Sequence, residues 1–147
     1  PPSSSALRHG ALRLGTNEFE GLRRVIDISG DGPNNQGGLV TDARDEVLGE
    51  GIVINGLPLM TRDFRGAAWR LDDLDAYFES CVIGGPGAFV VPVTDWRDFT
   101  GAVTRKLVLE IAGTVPERFF RVQADARYDC EIGEKMWRRN RRPYNIP

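Results

Sequence analysis

Residues 24–59 read RVIDISGDGPNNQGGLVTDARDEVLGEGIVINGLPL, and the order of patterns within them decides the fold. RVIDIS, residues 24–29, is short and rich in β-branched side chains, which suits a strand. GDGPNNQGG, residues 30–38, is dense in turn formers. Across residues 40–49, Val40, Ala43 and Val47 fall on one helical face. Thr41 is a candidate cap there, and Asp42 and Asp45 lie near the helix's amino end, where its dipole favours acid. Gly51 stops this helix. IVINGLPL, residues 52–59, is fully apolar at its start, as a strand covered on both faces should be. Strand, loop, helix and strand in this order make a parallel pair.

Working outward, residues 4–14 carry Ala6, Leu7, Ala11, Leu12 and Leu14 on a helical period, with serines ahead as candidate caps. Residues 15–21 read as a turn. Downstream, residues 61–68 read as an irregular loop, and 71–80 as a helix with Leu71, Leu74 and Phe78 inward. IGGPG at 83–87 is a break, and 88–93 is a third strand. Residues 95–112 form the longest predicted helix. Phe99, Ala102, Val103, Lys106, Leu107 and Glu110 recur there at helical spacing, so its apolar members are expected to face the core, with Lys106 and Glu110 as an i,i+4 pair. The alternation predicts an α/β fold with a mostly parallel sheet. RVIDIS would lie on the edge of a three-stranded sheet and is too apolar for that position. More sheet ahead of Pro1, or a covering partner, is therefore expected.

At 147 residues the chain suits one domain, and 41% hydrophobic with 27% charged residues is ordinary for a folded one. Its apolar runs are too short to cross a bilayer. The net charge of −2 gives no reason to expect a nucleic-acid partner. From Pro116 onward there are 8 basic and 5 acidic residues, a small positive excess centred on Arg138, Arg139, Arg141 and Arg142. Such a run is most simply a solvated terminus. Two cysteines and one histidine, His9, are too few for a four-ligand metal site. Cys81 and Cys130 are equally consistent with one disulfide or two reduced core thiols. The opening PPSSS has neither an initiator Met nor a leader pattern, so it says nothing of localisation.

Ligands of open parallel sheets bind beyond the carboxyl ends of the strands. Here those ends bring Ser29, Gly30, Asp31 and Gly32. A carboxylate between glycines is placed to hold a hard cation, although Asp-Gly is also a common turn pair. Other candidates are weaker. VIGGPGAF lacks both the P-loop and the dinucleotide spacing and precedes a strand, so it reads as a turn. Ser29 lacks the Gly-x-Ser-x-Gly setting of a nucleophile elbow, and His9 sits on a helix among polar neighbours. Asp72, Asp73 and Asp75 begin a helix, where the dipole accounts for them. Trp69, Trp96 and Trp137 read as packing anchors.

VIDISGDGPNNQGG, ARDEVLGEGIVINGLPL, LDAYFESCVIGGPGAFV and DFTGAVTRKLVLEIAG, in this order, resemble a bacterial family, domain of unknown function 1194, related to von Willebrand factor A domains. The resemblance covers residues 4–113. It implies a three-layer α/β fold, Rossmann-like, with a mostly parallel central sheet and helices on both faces. Residues 1–113 would be the C-terminal part of such a domain, its N-terminal strands lying ahead of Pro1, and 114–147 an extension. It also implies a metal-ion-dependent adhesion site built from an Asp-x-Ser-x-Ser loop, a Thr, and a later Asp that Asp31 matches. The first motif is not in this chain. Pro1 falls at the Thr position, leaving Ser3 and Ser4 to supply a hydroxyl.

The expected function is therefore a non-enzymatic, adhesion-type protein-binding module. Its metal ligands are Asp31, Ser3 and Ser4, and Asn34 and Asn35 contact the partner. The cation is Mg²⁺, or Mn²⁺ or Ca²⁺, held weakly or not at all by this chain alone. An acidic side chain of the protein partner completes the coordination. The family's exported character implies a periplasmic or secreted location and a Cys81–Cys130 disulfide tying the extension back. Two alternatives stand beside this: a small-molecule enzyme of the doubly wound class, and a metal-free assembly scaffold.

Overall fold

A computed structural model describes residues 2–61, 70–112 and 128–141. The expected 61–68 loop falls almost wholly outside them, as do Pro1, Trp69, Arg142 and residues 113–127. The chain is mixed α/β with a parallel sheet. Helix α1 spans Ser3–Thr16, strand β1 Arg24–Gly30, helix α2 Val40–Gly49 and strand β2 Ile52–Pro58. A short helix α3, Leu74–Tyr77, runs on into a π turn, Phe78–Val82. A 3₁₀ turn, Trp96–Asp98, leads into α4, Phe99–Ala112, and α5 spans Ile132–Arg141.

Two expected caps are corrected. Helix α1 starts after Pro2 and has no side-chain cap, so the serines lie inside its first turn, not ahead of it. Helix α2 starts after Leu39, which places Thr41 within it. Its end is as read: Gly51 takes φ +72, a left-handed value that glycine adopts at little cost, and its N–H closes on the Leu48 carbonyl at 2.9 Å.

β1 and β2 pair in parallel, with Asp27 opposite Asn55 and Ser29 opposite Leu57. The third run, 88–93, lies on the far side of β2. Gly56 N–H donates to the Phe89 carbonyl, and the N–H groups of Val91 and Val93 donate to Gly56 and Pro58. Its bridges to β2 are isolated ones, Gly56–Val90 and Leu59–Val93. Val91 and Val93 turn their N–H groups toward β2, so the nitrogen of Pro92 faces away from it. The missing donor is Pro58 of β2, which has no N–H to give to the facing run, and this accounts for the interruption. β2 is thus central and buried at every position, while β1 is the edge strand among the described residues.

Side chains alternate across β2, so its two faces meet different neighbours. Ile52 and Ile54 join Leu7, Val40, Val47, Leu74, Tyr77 and Phe78 in the larger core cluster. Gly56 lies under Phe78: a Cβ there would stand 2.7 Å from the Phe78 ring. Leu57 joins Phe89, Val91, Val93 and Ala102 in a second cluster beneath α4.

Helix α4 presents most of the face expected of it, with Phe99, Ala102 and Val103 on the second cluster and Lys106 paired with Glu110, but Leu109 packs inward where Leu107 was expected. Ala102 and Lys106 are its buried residues, while Leu107 is 48% and Ile111 87% exposed. The cause is a polar network on the sheet. Lys106 Nζ contacts Asp27 of β1 and Glu110 of its own helix, and Glu110 also accepts from Asn55 Nδ2 at 2.6 Å. Asn55 Oδ1 in turn accepts from the Phe89 N–H at 3.2 Å. A buried cation must lie where carboxylates can meet it, and that requirement outweighs the burial of one leucine.

Candidate functional site

β1 ends at Gly30, whose carbonyl accepts from the Leu59 N–H at 2.8 Å. The chain then turns outward, and a cavity of about 520 Å³ opens at the strand end. Its lining includes Ser3 of α1, Ser29 and Gly30 of β1, and Asp31, Asn35 and Gln36 of the loop. Asp31 and Ser3, far apart in sequence, are therefore brought to one place, and Ser29 joins them as a second hydroxyl. Asp31 and Ser29 are exposed, Ser3 and Asn35 half-buried.

The two remaining expected site residues are elsewhere. Ser4 is fully buried; its N–H donates to Asn34 Oδ1 at 3.0 Å and its hydroxyl to the Gln36 carbonyl at 3.2 Å. It does not line the cavity and its hydroxyl is already engaged. Asn34, expected at the partner-facing surface, is 1% exposed. Its side-chain amide donates to the Gly38 carbonyl at 2.9 Å and to Glu134 Oε1 at 2.6 Å. Its backbone N–H donates to the Tyr77 hydroxyl at 3.0 Å. Asn34 is the internal joint of the loop and cannot touch a partner.

Three elements converge on that joint. The loop meets α1 closely at Gly37, where φ is +80 and a Cβ would stand 2.6 Å from Ser5 Oγ. Helix α5 meets it at Gly133, where a Cβ would fall 1.9 Å from the Asn34 carbonyl oxygen, so only glycine fits. From α3, Tyr77 is fully buried, and that burial pushes its phenol above the ordinary range. Tyr128 packs its ring 6.1 Å from that of Tyr77 and donates to Asp73 Oδ2 at 3.0 Å. Burial, followed by the bond to Asp73, raises its phenol too. Cys81 and Cys130 are disulfide-bonded, with Cα atoms 5.5 Å apart, which anchors the start of α5 next to the π turn.

The sequence reading missed Tyr77, Gly133 and Glu134. A tyrosine among inward-facing residues was the one available signal, since a buried hydroxyl needs a partner. His9 is exposed on α1, and Trp96 is half exposed, stacked on Phe99 at 4.9 Å.

Chemically, the cavity gathers carboxylate, hydroxyl, amide and backbone oxygens. These are the donors of a hard cation rather than a soft one. Among the described residues no group of three or more His, Cys, Asp or Glu is placed to hold a metal. Asp31 is, among the described residues, the one carboxylate side chain in the lining.

The family model described as "Protein of unknown function (DUF1194)" matches residues 2–115. No curated protein and no solved structure matches the chain.

Proposed function

The chain belongs to the DUF1194 family, whose description assigns no activity, and from its strand-end cavity we propose that it is a non-enzymatic protein-binding module that engages its partner through a divalent cation. The observation that carries this reading is the meeting of Asp31, Ser3 and Ser29 in one cavity at the carboxyl end of a parallel strand. The donors fit a hard cation such as Mg²⁺ or Mn²⁺ in kind, since all are oxygens. They fit it in part by number. One carboxylate offsets half the charge of a divalent ion, so an acidic side chain from a partner both completes the ligand set and neutralises the remainder. Asn35 and Gln36 on the rim are placed to meet that partner; Asn34 and Ser4 support the loop from within.

The fold that goes with this reading is the three-layer, von Willebrand factor A-like one, with residues 1–113 as the C-terminal part of the domain. The extension from 114 onward serves as a disulfide-anchored brace. A periplasmic or secreted location fits the disulfide. No helix among the described residues is long and apolar enough to cross a membrane.

Paramagnetic Mn²⁺ tests the proposal without a known partner. Titrated into isotope-labelled protein, it is expected to broaden the amide signals of Ser3 and of residues 29–36 first. Asp31→Ala is expected to abolish that broadening while leaving the rest of the spectrum in place. Broadening that persists in Asp31→Ala, or that centres elsewhere, overturns the assignment.

A further inference from the structure

The opposite end of the sheet carries a second hollow, of about 500 Å³, at the amino ends of β1 and β2. Leu48, Ile52, Val53 and Pro86 give it an apolar wall, and among the described residues Arg23 and Arg24 are its charged side chains and no carboxylate side chain lines it. The two arginines differ in what they already hold. Arg24 donates through Nη2 to the Glu50 carbonyl, which keeps its guanidinium beside Gly51. Arg23 reaches to the other rim, near Gly87, and makes no hydrogen bond or ion pair among the described residues. Leu22 next to it is fully exposed.

We propose that this hollow binds a small carboxylate with an apolar body, of the medium-chain fatty acid kind. A guanidinium offers two parallel N–H groups, a fork that a planar two-oxygen anion matches. Arg23 has its whole fork to offer, while part of Arg24's is committed to a carbonyl, so the site suits one such anion rather than a more highly charged phosphate. Beyond the two arginines the side-chain lining among the described residues is apolar, which suits a ligand whose remainder is apolar as well. A hollow of a few hundred cubic ångströms, apolar with a few convergent polar groups, is the usual make-up of a small-molecule site. This assignment is independent of the cation site, which lies at the other end of β1.

Calorimetric titration of the disulfide-intact protein with sodium octanoate tests it, with amide chemical shifts to locate the binding. Octanoate is expected to bind and to shift Gly51, Gly85 and Gly87. Acetate, which lacks the body, and 1-octanol, which lacks the charge, are expected to bind far more weakly. Arg23→Gln is expected to weaken octanoate by about 10- to 100-fold, the usual worth of a hydrogen-bonded charge. Arg13→Gln on α1 serves as the control and is expected to change nothing. Arg23 is the cleaner site to alter, because Arg24 also holds a backbone carbonyl. The proposal is overturned by an absence of octanoate binding, by shifts centred on residues 29–36 instead, by unchanged affinity in Arg23→Gln, or by inorganic phosphate binding as well as octanoate.

Discussion

The side-chain amide of Asn34 donates to Glu134 Oε1 at 2.6 Å, joining residues 100 positions apart. This bond makes the C-terminal helix part of the strand-end loop. Asn34 also receives the Ser4 N–H and gives a hydrogen bond to the Gly38 carbonyl, so one side chain ties α1, the loop and α5 together. Pro33 and Asn35, on either side of that joint in the chain, line the cavity with Asp31.

Asn34→Ala is therefore expected to be costly. It leaves a buried N–H, a carbonyl and a carboxylate each short of a partner, and about 3 kcal/mol or more of stability is expected to go. Asn35→Ala next to it is the contrast. Asn35 lines the cavity and makes no hydrogen bond among the described residues, so its change is expected to stay within about 0.5 kcal/mol. Urea denaturation of the two variants side by side checks the difference.

Opening the disulfide tests how firmly α5 is held. Cys81 and Cys130 are 49 residues apart, and a bridge closing such a loop stabilises by about 4 kcal/mol on the chain-entropy account. The Cys81→Ala, Cys130→Ala double variant is expected to lose a stability of that order. It is also expected to speed amide exchange at Asn34, since the brace is then held by hydrogen bonds and packing alone. Exchange at Asn34 unchanged from the parent protein would show that α5 stays docked without the bridge.

What the sequence made legible was whatever its local period governs. β1, α2 and β2 fall where the apolar pattern puts them, because Val40, Ala43 and Val47 recur at helical spacing and Ile52 to Ile54 admit no polar face. Asp31 was placed by its position after a parallel strand. Asn34 was not, because an asparagine in a turn-rich loop reads the same whether it faces solvent or a helix a hundred residues away. On α4 the Lys106–Glu110 pair was legible from its i,i+4 spacing, but the exposure of Leu107 was not, because Asp27 and Asn55, which draw that pair onto the sheet, lie far away in sequence. Asn55 was the signal passed over, an amide in the middle of an otherwise apolar buried strand, which must have a partner.

The outward placing of Leu107 has its own test. Leu107→Ala and Ile111→Ala remove side chains that are largely exposed, and each is expected to cost under about 1 kcal/mol. Ala102→Leu forces bulk against Val91 and Val93 and is expected to cost about 1–3 kcal/mol. Thermal unfolding would reveal the reverse order if α4 instead turned Leu107 inward.

The network beneath α4 sets a pH dependence whose sign can be worked out. Burial pushes the Asp27 carboxyl above its ordinary range; the bond to Lys106 opposes this and the bond to Glu110 adds to it. Burial pushes Glu110 up as well, but its bonds to Lys106, Asp27 and Asn55 outweigh that and hold it below the ordinary value. Glu110 therefore contributes stability above the usual glutamate pKa of about 4.3, lost as pH falls through its lower folded value. Asp27 acts in the opposite sense: as pH falls through its raised folded value it gains a proton more readily folded than unfolded, which favours the fold. Asp27→Asn should remove this gain on acidification, and Glu110→Gln should remove the loss at lower pH. Lys106→Met leaves two carboxylates facing each other without their cation. At pH 7 it is expected to cost about 1–3 kcal/mol, less than a fully buried pair because the Asp27 side chain is 43% exposed. Lowering the pH lets the carboxylates take up a proton, so the deficit relative to the parent protein is expected to shrink as pH falls from 7 toward 4. Denaturant midpoints of Lys106→Met and parent, measured across that range, check it. A deficit constant with pH would mean that the loss comes from packing around the lysine stem and not from its charge.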